Sequence, residues 1–218
     1  GRQWSRGLHG LIALKEGCKP PPETETLNQI TYQRFFPRYL RIGGMSGSLR
    51  EVRGELAAVY GLGLVEVPLR LPSRRARLPR RLFARPAQFA EALAARVVAL
   101  RAEGRAVLVG SASVAESLRI SGWLGDAGVA HRVLNAEQSR EEAMIVAEAG
   151  RPGSVTVATN MAGRGTDIRL DASVAAAGGL HVINCQLNRT RRLDRQLAGR
   201  CARQGDPGSA EHWLCLED

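Results

Sequence analysis

Lysine is nearly missing from this sequence: of its 31 basic residues only Lys15 and Lys19 are lysine, and the formal charge is +10. Surplus arginine raises the prospect of nucleic acid or anionic lipid. A high-GC genome that writes its basic surface in arginine explains the same bias, and we favour that reading over a dedicated polyanion site. Long apolar runs are missing too. None reaches the roughly 18 residues of a membrane-spanning helix, so contact with a membrane is expected to be peripheral. Gly1-Arg2-Gln3-Trp4-Ser5 has no apolar signal region behind it and no initiating Met, and reads as the cut end of something longer. Cysteine is sparse. Cys18, Cys185, Cys201 and Cys215 form no Cys-x-x-Cys pair, and no His stands beside them at ligand spacing, which argues against a zinc site. Cys185 and Cys215 lie in apolar runs and are expected to be buried thiols in a reducing cytoplasm. Repeats and low-complexity tracts are absent.

What is present is ordinary for a globular protein: 44% of the 218 residues are hydrophobic, enough for one large domain or two small lobes. Apolar positions at helical spacing predict a helix over Trp4 to Leu14, followed by a proline-rich connector over Lys19 to Glu25. Tyr32, Phe35, Phe36 and Tyr39 form an aromatic helical stripe, expected to pack in a core. Leu40 to Met45 and Leu64 to Val67 read as short strands, with a helix from Ser46 to about Gly61 between them. The stretch 70–85 carries Arg70, Arg74, Arg75, Arg77, Arg80, Arg81 and Arg85 and almost no aromatics. It is expected to be an exposed linker and not a stacking platform for bases. Beyond it the pattern is regular. Short apolar strands at 106–110, 131–134, 155–159, 179–183 and 212–216 alternate with helices, the last of them spanning Thr190 to Arg203. That alternation predicts an α/β fold with a mostly parallel sheet covered on both faces. We place the division between a partial first lobe and a complete second one at 1–68 and 69–218.

Two loops carry the chemistry. Thr159-Asn160-Met161-Ala162-Gly163-Arg164-Gly165-Thr166-Asp167-Ile168 follows a buried strand, so it lies at the carboxyl edge of the sheet, where open α/β folds bind ligands. Gly163 and Gly165 allow close backbone approach, Arg164 between them offers a planar charge to phosphate, and Asp167 can accept from a ribose hydroxyl or anchor an Arg. The second loop is Gln196-Leu197-Ala198-Gly199-Arg200-Cys201-Ala202-Arg203-Gln204-Gly205-Asp206. Arg200 and Arg203, three apart on the predicted helix, are expected to point the same way and to neutralise charge on a transferring phosphoryl group.

Gln196-x-x-Gly199-Arg200-x-x-Arg203 resembles the sixth motif of superfamily-two helicase-like ATPases, and the 159–168 loop resembles their fifth motif in the version typical of SecA. Trp4-Ser5-x-Gly7-Leu8-His9 with Lys15-Glu16-Gly17, and Thr31-Tyr32-Gln33-x-Phe35-Phe36 followed by Gly44-Met45-Ser46-Gly47-Ser48, are similar to the end of the first SecA lobe. Val107 to Gly110, Val133 to Ala136, Gly178 to His181 and Gln204 to Asp218 fit the second. The sequence departs from the family in several places. Serines stand at 46 and 48 for threonines, Gln186-Leu187-Asn188-Arg189 stands for Glu-Arg-His-Glu, Ala202 for a Gly, and Arg77 to Arg81 for an acidic stretch.

The resemblance implies RecA-like lobes with ATP between them, in a motor that pushes unfolded preproteins through a membrane channel. Arg200 and Arg203 would be arginine fingers and Gln196 would help place them. Gly163, Arg164, Gly165 and Asp167 would face the nucleotide, and Ser46 and Ser48 would couple the lobes. The phosphate loop Gly-x-x-x-x-Gly-Lys-[Ser/Thr] does not occur in this sequence, so the implied Mg2+ falls to the first lobe. The partners implied are that lobe, the protein-conducting channel and the preprotein, at the cytoplasmic side of the inner membrane. No specific nucleic acid is expected. A helicase lobe of the same superfamily and a non-catalytic interaction module are the competing readings. The segment at Trp4 to Gly17 counts against the first, and the intact arginine pair against the second.

Overall fold

The computed structural model describes residues 7–20, 28–135, 142–159, 166–186 and 190–217. They form two compact units, Gly1–Met45 with Gly54–Gly63, and Ser46–Arg53 with Leu64–Asp218. The first unit contains α1 (Leu8–Lys15), α2 (Tyr32–Phe35) continued by a tight turn at Phe36–Arg38, and α3 (Arg53–Tyr60). None of its described residues is buried. Phe35 stacks edge-on against Tyr39 and Phe36 lies against Tyr32, both at 5.6 Å, yet Tyr32 and Tyr39 stay exposed. The aromatic stripe is therefore no core within the described residues. The strands expected over 40–45 and 64–67 do not form; a strand is stable only when its backbone pairs, and neither segment has a partner among the described residues.

The second unit is the sheet. In chain order it contains β1 (Arg74–Arg77), β2 (Arg81–Phe83), α4 (Pro86–Ala102), β3 (Val107–Ser111), α5 (Val114–Asp126), β4 (Arg132–Leu134), α6 (Glu142–Glu148), β5 (Val155–Thr159), α7 (Ala172–Ala176), β6 (Leu180–Asn184), α8 (Arg191–Ala198) and β7 (Pro207–Cys215). The strand order is β1-β7-β6-β3-β5-β4, with β2 also on β7, and every pairing is parallel. The stretch 70–85 is a correction. It is not a bare linker, because β1 and β2 run along β7 and form one edge of the sheet. Backbone pairing makes these strands; their arginine side chains mostly stay in solvent, so no apolar alternation announces them.

β3, β5 and β6 are buried throughout, as expected of strands covered on both faces. On one face Phe89, Leu93, Val97 and Leu100 of α4 and Ile120 and Leu124 of α5 pack on Val107, Val109, Val157, Ile183 and Trp213. On the other, Leu108, Ala158, Val182 and Ala210 meet Ile145 and Val146 of α6, Val174 of α7 and Leu197 of α8. The alternation along each strand sorts these two sets. Ser113 caps α5 by accepting from the Glu116 amide at 3.1 Å, which sets where that helix begins. Cys185 and Cys201 are buried free thiols and Cys215 is half-buried.

A chain of polar groups crosses the α4 face between β6 and β7. The Arg105 guanidinium donates to Ser209 Oγ at 2.7 Å, Ser209 Oγ lies 2.7 Å from His181 Nδ1, and His181 Nε2 lies 2.7 Å from Glu211 Oε1. Arg96 Nε also donates to that carboxylate oxygen, at 3.0 Å. Burial keeps the His181 imidazole neutral and Glu211 is ionised and can only accept, so His181 is the Nε2–H tautomer that donates to Glu211, which leaves Nδ1 to accept from Ser209 Oγ. Burial disfavours charge on the His181 imidazole and holds it below its usual value, with Glu211 opposing. Burial would raise the Glu211 carboxyl, but the donors around it, His181 foremost, win and hold it at about 2.

Both shifts act in one direction on stability. The unfolded chain takes up protons near 6.5 and 4.5, which the folded chain refuses until lower pH. Stability is therefore complete above about 6.5 and declines as pH falls, most steeply below 4.5 and on toward 2, by a total on the order of a few kcal/mol. Denaturant midpoints measured downward from neutral pH should show this fall, and Glu211→Gln should flatten its acid limb. A variant with the same acid limb as the parent would remove Glu211 as its cause.

Candidate functional site

The carboxyl edge of the sheet collects the ends of β3, β5 and β6, and the α8 turn returns beneath it. β5 ends at Thr159 with its side chain buried. Gly163, Arg164 and Gly165 lie outside the described residues. The chain is described again from Thr166, and Ile168 anchors it in the second core. Asp167, just before that anchor, receives a hydrogen bond from Arg203 Nη1 at 2.7 Å. The two motif loops, 36 residues apart, are thus brought together by their charged groups. Both side chains stay partly in solvent, 37% for Arg203 and 45% for Asp167, so the pair contributes little to stability.

The helix carrying the arginines is shorter than expected. α8 stops at Ala198 with Gly199 as its C-cap, so Arg200 and Arg203 lie on a turn, and helical spacing does not align them. The turn is set by two residues in the left-handed region, Ala202 and Gln204, both at φ 54°, and by Gly205 at φ 90°. Ala202 stands where the resemblance puts a Gly, the residue that adopts this conformation without strain. Arg203 folds back so that its Nε donates to the Gly199 carbonyl at 2.8 Å. Gly208 of β7 makes room for the turn: a Cβ there would lie 2.8 Å from the Ala202 nitrogen and 3.1 Å from the Leu180 carbonyl oxygen.

Gln196 and the two serines also meet. Gln196 Nε2 donates to Ser48 Oγ at 3.5 Å, and Ser48 Oγ lies 3.3 Å from Ser46 Oγ. One turn earlier, Arg195 pairs with Glu51. Ser48 is buried although it is a small polar residue in a glycine-flanked turn, so α8 holds the 46–53 segment to the second unit.

Sequence reasoning missed several groups here. Asn184, at the end of β6, donates to Asp194 of α8 at 3.1 Å and lies 3.0 Å from His212 Nε2. Burial lowers the His212 pKa, against the pull of Asp194. Gln186 is buried, and its amide has no hydrogen-bond partner among the described residues. Only the apolar run preceding Asn184 and Gln186 hinted that they would be buried. Among the described residues no group of His, Cys, Asp and Glu is arranged to hold a metal ion, and no helix is long and apolar enough to cross a membrane.

The SecA DEAD-like domain matches residues 4–57, and the SecA P-loop domain matches 72–175 and 169–218. Protein translocase subunit SecA 3 of Magnetococcus marinus is 54% identical over the whole chain, and SecA 2 of Nitrosospira multiformis is 49% identical. The chain spans 33% of the length of each of these relatives. Among solved structures, the E. coli DEAD-box protein SrmB, bound to the regulator of ribonuclease activity A, superposes with a TM-score of 0.50 at 23% identity. The match covers 65% of this chain and 80% of that one, and is a likeness of fold: the second unit is a RecA-like α/β domain. Two family domains matched in order, and relatives identical at half of all positions along the entire sequence, place this chain in the SecA family.

Proposed function

We propose that this chain supplies the arginine-finger side of the ATP cleft in a motor that drives unfolded preproteins through a membrane channel. The observation that carries the reading is the 2.7 Å bond from Arg203 to Asp167, which unites the fifth-motif and sixth-motif loops at the carboxyl edge of a parallel sheet. Ligands of open α/β folds bind at that edge. In this role Gly163, Arg164, Gly165 and Asp167 face the nucleotide. Arg203, resting on Asp167, exchanges that carboxylate for phosphate oxygens, and with Arg200 it neutralises charge that develops as the γ-phosphoryl leaves. Gln196 connects the arginine turn to Ser46 and Ser48, through which the lobes are coupled. Residues 1–68 belong to the first lobe and 69–218 to the second. Mg2+ is assigned to the first lobe, because the phosphate loop that accompanies it does not occur in this sequence. The partners are that lobe, the channel and the preprotein, with the motor on the cytoplasmic face of the inner membrane.

The test uses the full-length protein. ATP turnover should rise when an unfolded preprotein is added with channel-bearing membrane vesicles, and should stay at its basal level with single-stranded RNA. Stimulation by RNA and none by preprotein would replace this reading with that of a helicase.

A further inference from the structure

The turn that carries Arg200 and Arg203 is strained and needs something to hold it. Left-handed conformations at non-glycine residues are strained, because Cβ crowds the following carbonyl oxygen. Ala202 and Gln204 both adopt them here. Such strain persists only where surrounding groups over-determine the backbone.

Arg75 is the group in place to do so. It is the half-buried residue of β1; Arg74, Ala76 and Arg77 are exposed. Its guanidinium reaches across 126 residues of sequence and places two donors on one acceptor, the Cys201 carbonyl, with Nη2 at 2.8 Å and Nε at 3.3 Å. That carbonyl belongs to the peptide plane between Cys201 and Ala202. A fork gripping it fixes the plane's direction, and with it the φ of Ala202. From the other side the buried Cys201 thiol points to the Ala198 and Ser209 carbonyls at 3.3 and 3.4 Å. Two further contacts from the same strand region reach the far end of the turn: Leu71 packs on Gly205, and Arg74 Nη1 lies 3.5 Å from the Gly205 carbonyl.

We infer that Arg75 is a positioning residue for hydrolysis: its fork on the Cys201 carbonyl holds the 199–206 turn in the strained form that presents Arg200 and Arg203. Arg75 itself touches no nucleotide. The inference rests on the ATP-cleft reading of that turn, and its test separates the two.

In the full-length protein, Arg75→Ala should lower kcat for ATP about ten- to hundredfold, the scale of a small displacement of a catalytic group, with the KM for ATP changed far less. The same substitution made on top of Arg200→Ala with Arg203→Ala should bring no further loss. Amides 200–206 should exchange with solvent about tenfold faster or more, because a charge-assisted hydrogen bond is gone. Arg75→Lys, which keeps the charge but not the fork, should fall between, and it carries the comparison if the alanine variant does not fold. The proposal is overturned if kcat is unchanged while the arginine-pair variant is slow, if Arg75→Ala slows both backgrounds equally, or if exchange over 200–206 does not change. Turnover indifferent to the loss of Arg200 and Arg203 would instead overturn the cleft reading, and this role with it, even where exchange shows that the fork holds the turn.

Discussion

Full-length protein bearing Arg200→Ala together with Arg203→Ala is expected to hydrolyse ATP on the order of a thousandfold more slowly than the parent, the usual scale for arginine fingers. ATP binding should weaken far less. A finger acts on charge that grows on the phosphoryl oxygens as the bond breaks, so most of its contribution is absent from the ground state. The substitutions should leave folding nearly intact. Arg203 and Asp167 are both more than one-third exposed, and such a pair contributes between nothing and about 1 kcal/mol. Arg203→Ala alone should move stability by about 0.5 kcal/mol. The isolated 218-residue chain should show no turnover, since its sequence holds no phosphate loop. Two results would end this account. One is steady hydrolysis by the isolated chain after contaminating ATPases are removed. The other is full-length turnover indifferent to the double substitution.

The largest expected effect on folding lies at Trp213. Its side chain is fully buried, lies 5.1 Å from the Phe83 ring and 6.0 Å from Phe89 edge-on, and carries the Arg81 guanidinium 4.9 Å above it. It is thus where β2, β7 and α4 meet. Truncation to alanine removes those contacts and leaves a void that the flanking strands cannot close, at a cost of about 3–5 kcal/mol. That is a large share of what holds an ordinary domain together. Hydrogen exchange of β6 and β7 amides in the full-length protein should accelerate roughly a hundredfold or more, since those amides open through global unfolding of the unit. Trp213→Phe should retain most of the protection. Unchanged exchange in the alanine variant would show that the aromatic group is not what closes this end of the core.

The sheet was legible where burial is complete. β3, β5 and β6 are short, mostly apolar segments rich in β-branched residues, and each was read as a strand to within a residue or two of its ends. β7 was anticipated only over its second half, at His212 to Leu216. Its first half, Pro207-Gly208-Ser209-Ala210-Glu211, has the composition of a turn. Ser209 and Glu211 are tolerated inside because His181, Arg96 and Arg105 satisfy them, and those partners are remote in sequence. β1 and β2 were hidden for a different reason: edge strands need only backbone pairing, and nothing in Arg74-Arg75-Ala76-Arg77 shows where that backbone goes. At the candidate site, Asp167 was expected to accept from a ribose hydroxyl or to anchor an Arg, but its meeting with Arg203, and that of Gln196 with Ser48, join residues of different motifs and were not read from the sequence. Nor was the turn itself. Helical periodicity continues through Arg203, and the left-handed residues that break it, Ala202 and Gln204, are not glycines and carry no local mark.

The arginine-lined edge has a consequence for solubility. A free edge strand offers unpaired backbone to any other strand it meets, including that of a second copy. Here that rim is broken into two short strands around Pro79, and it displays Arg74, Arg77 and Arg81 to solvent. Two such rims approaching each other would bring like charges within a few ångströms, a repulsion that weakens only as added salt screens it. Arginine on these two strands is thus expected to disfavour edge-to-edge pairing of the sheet with a second copy.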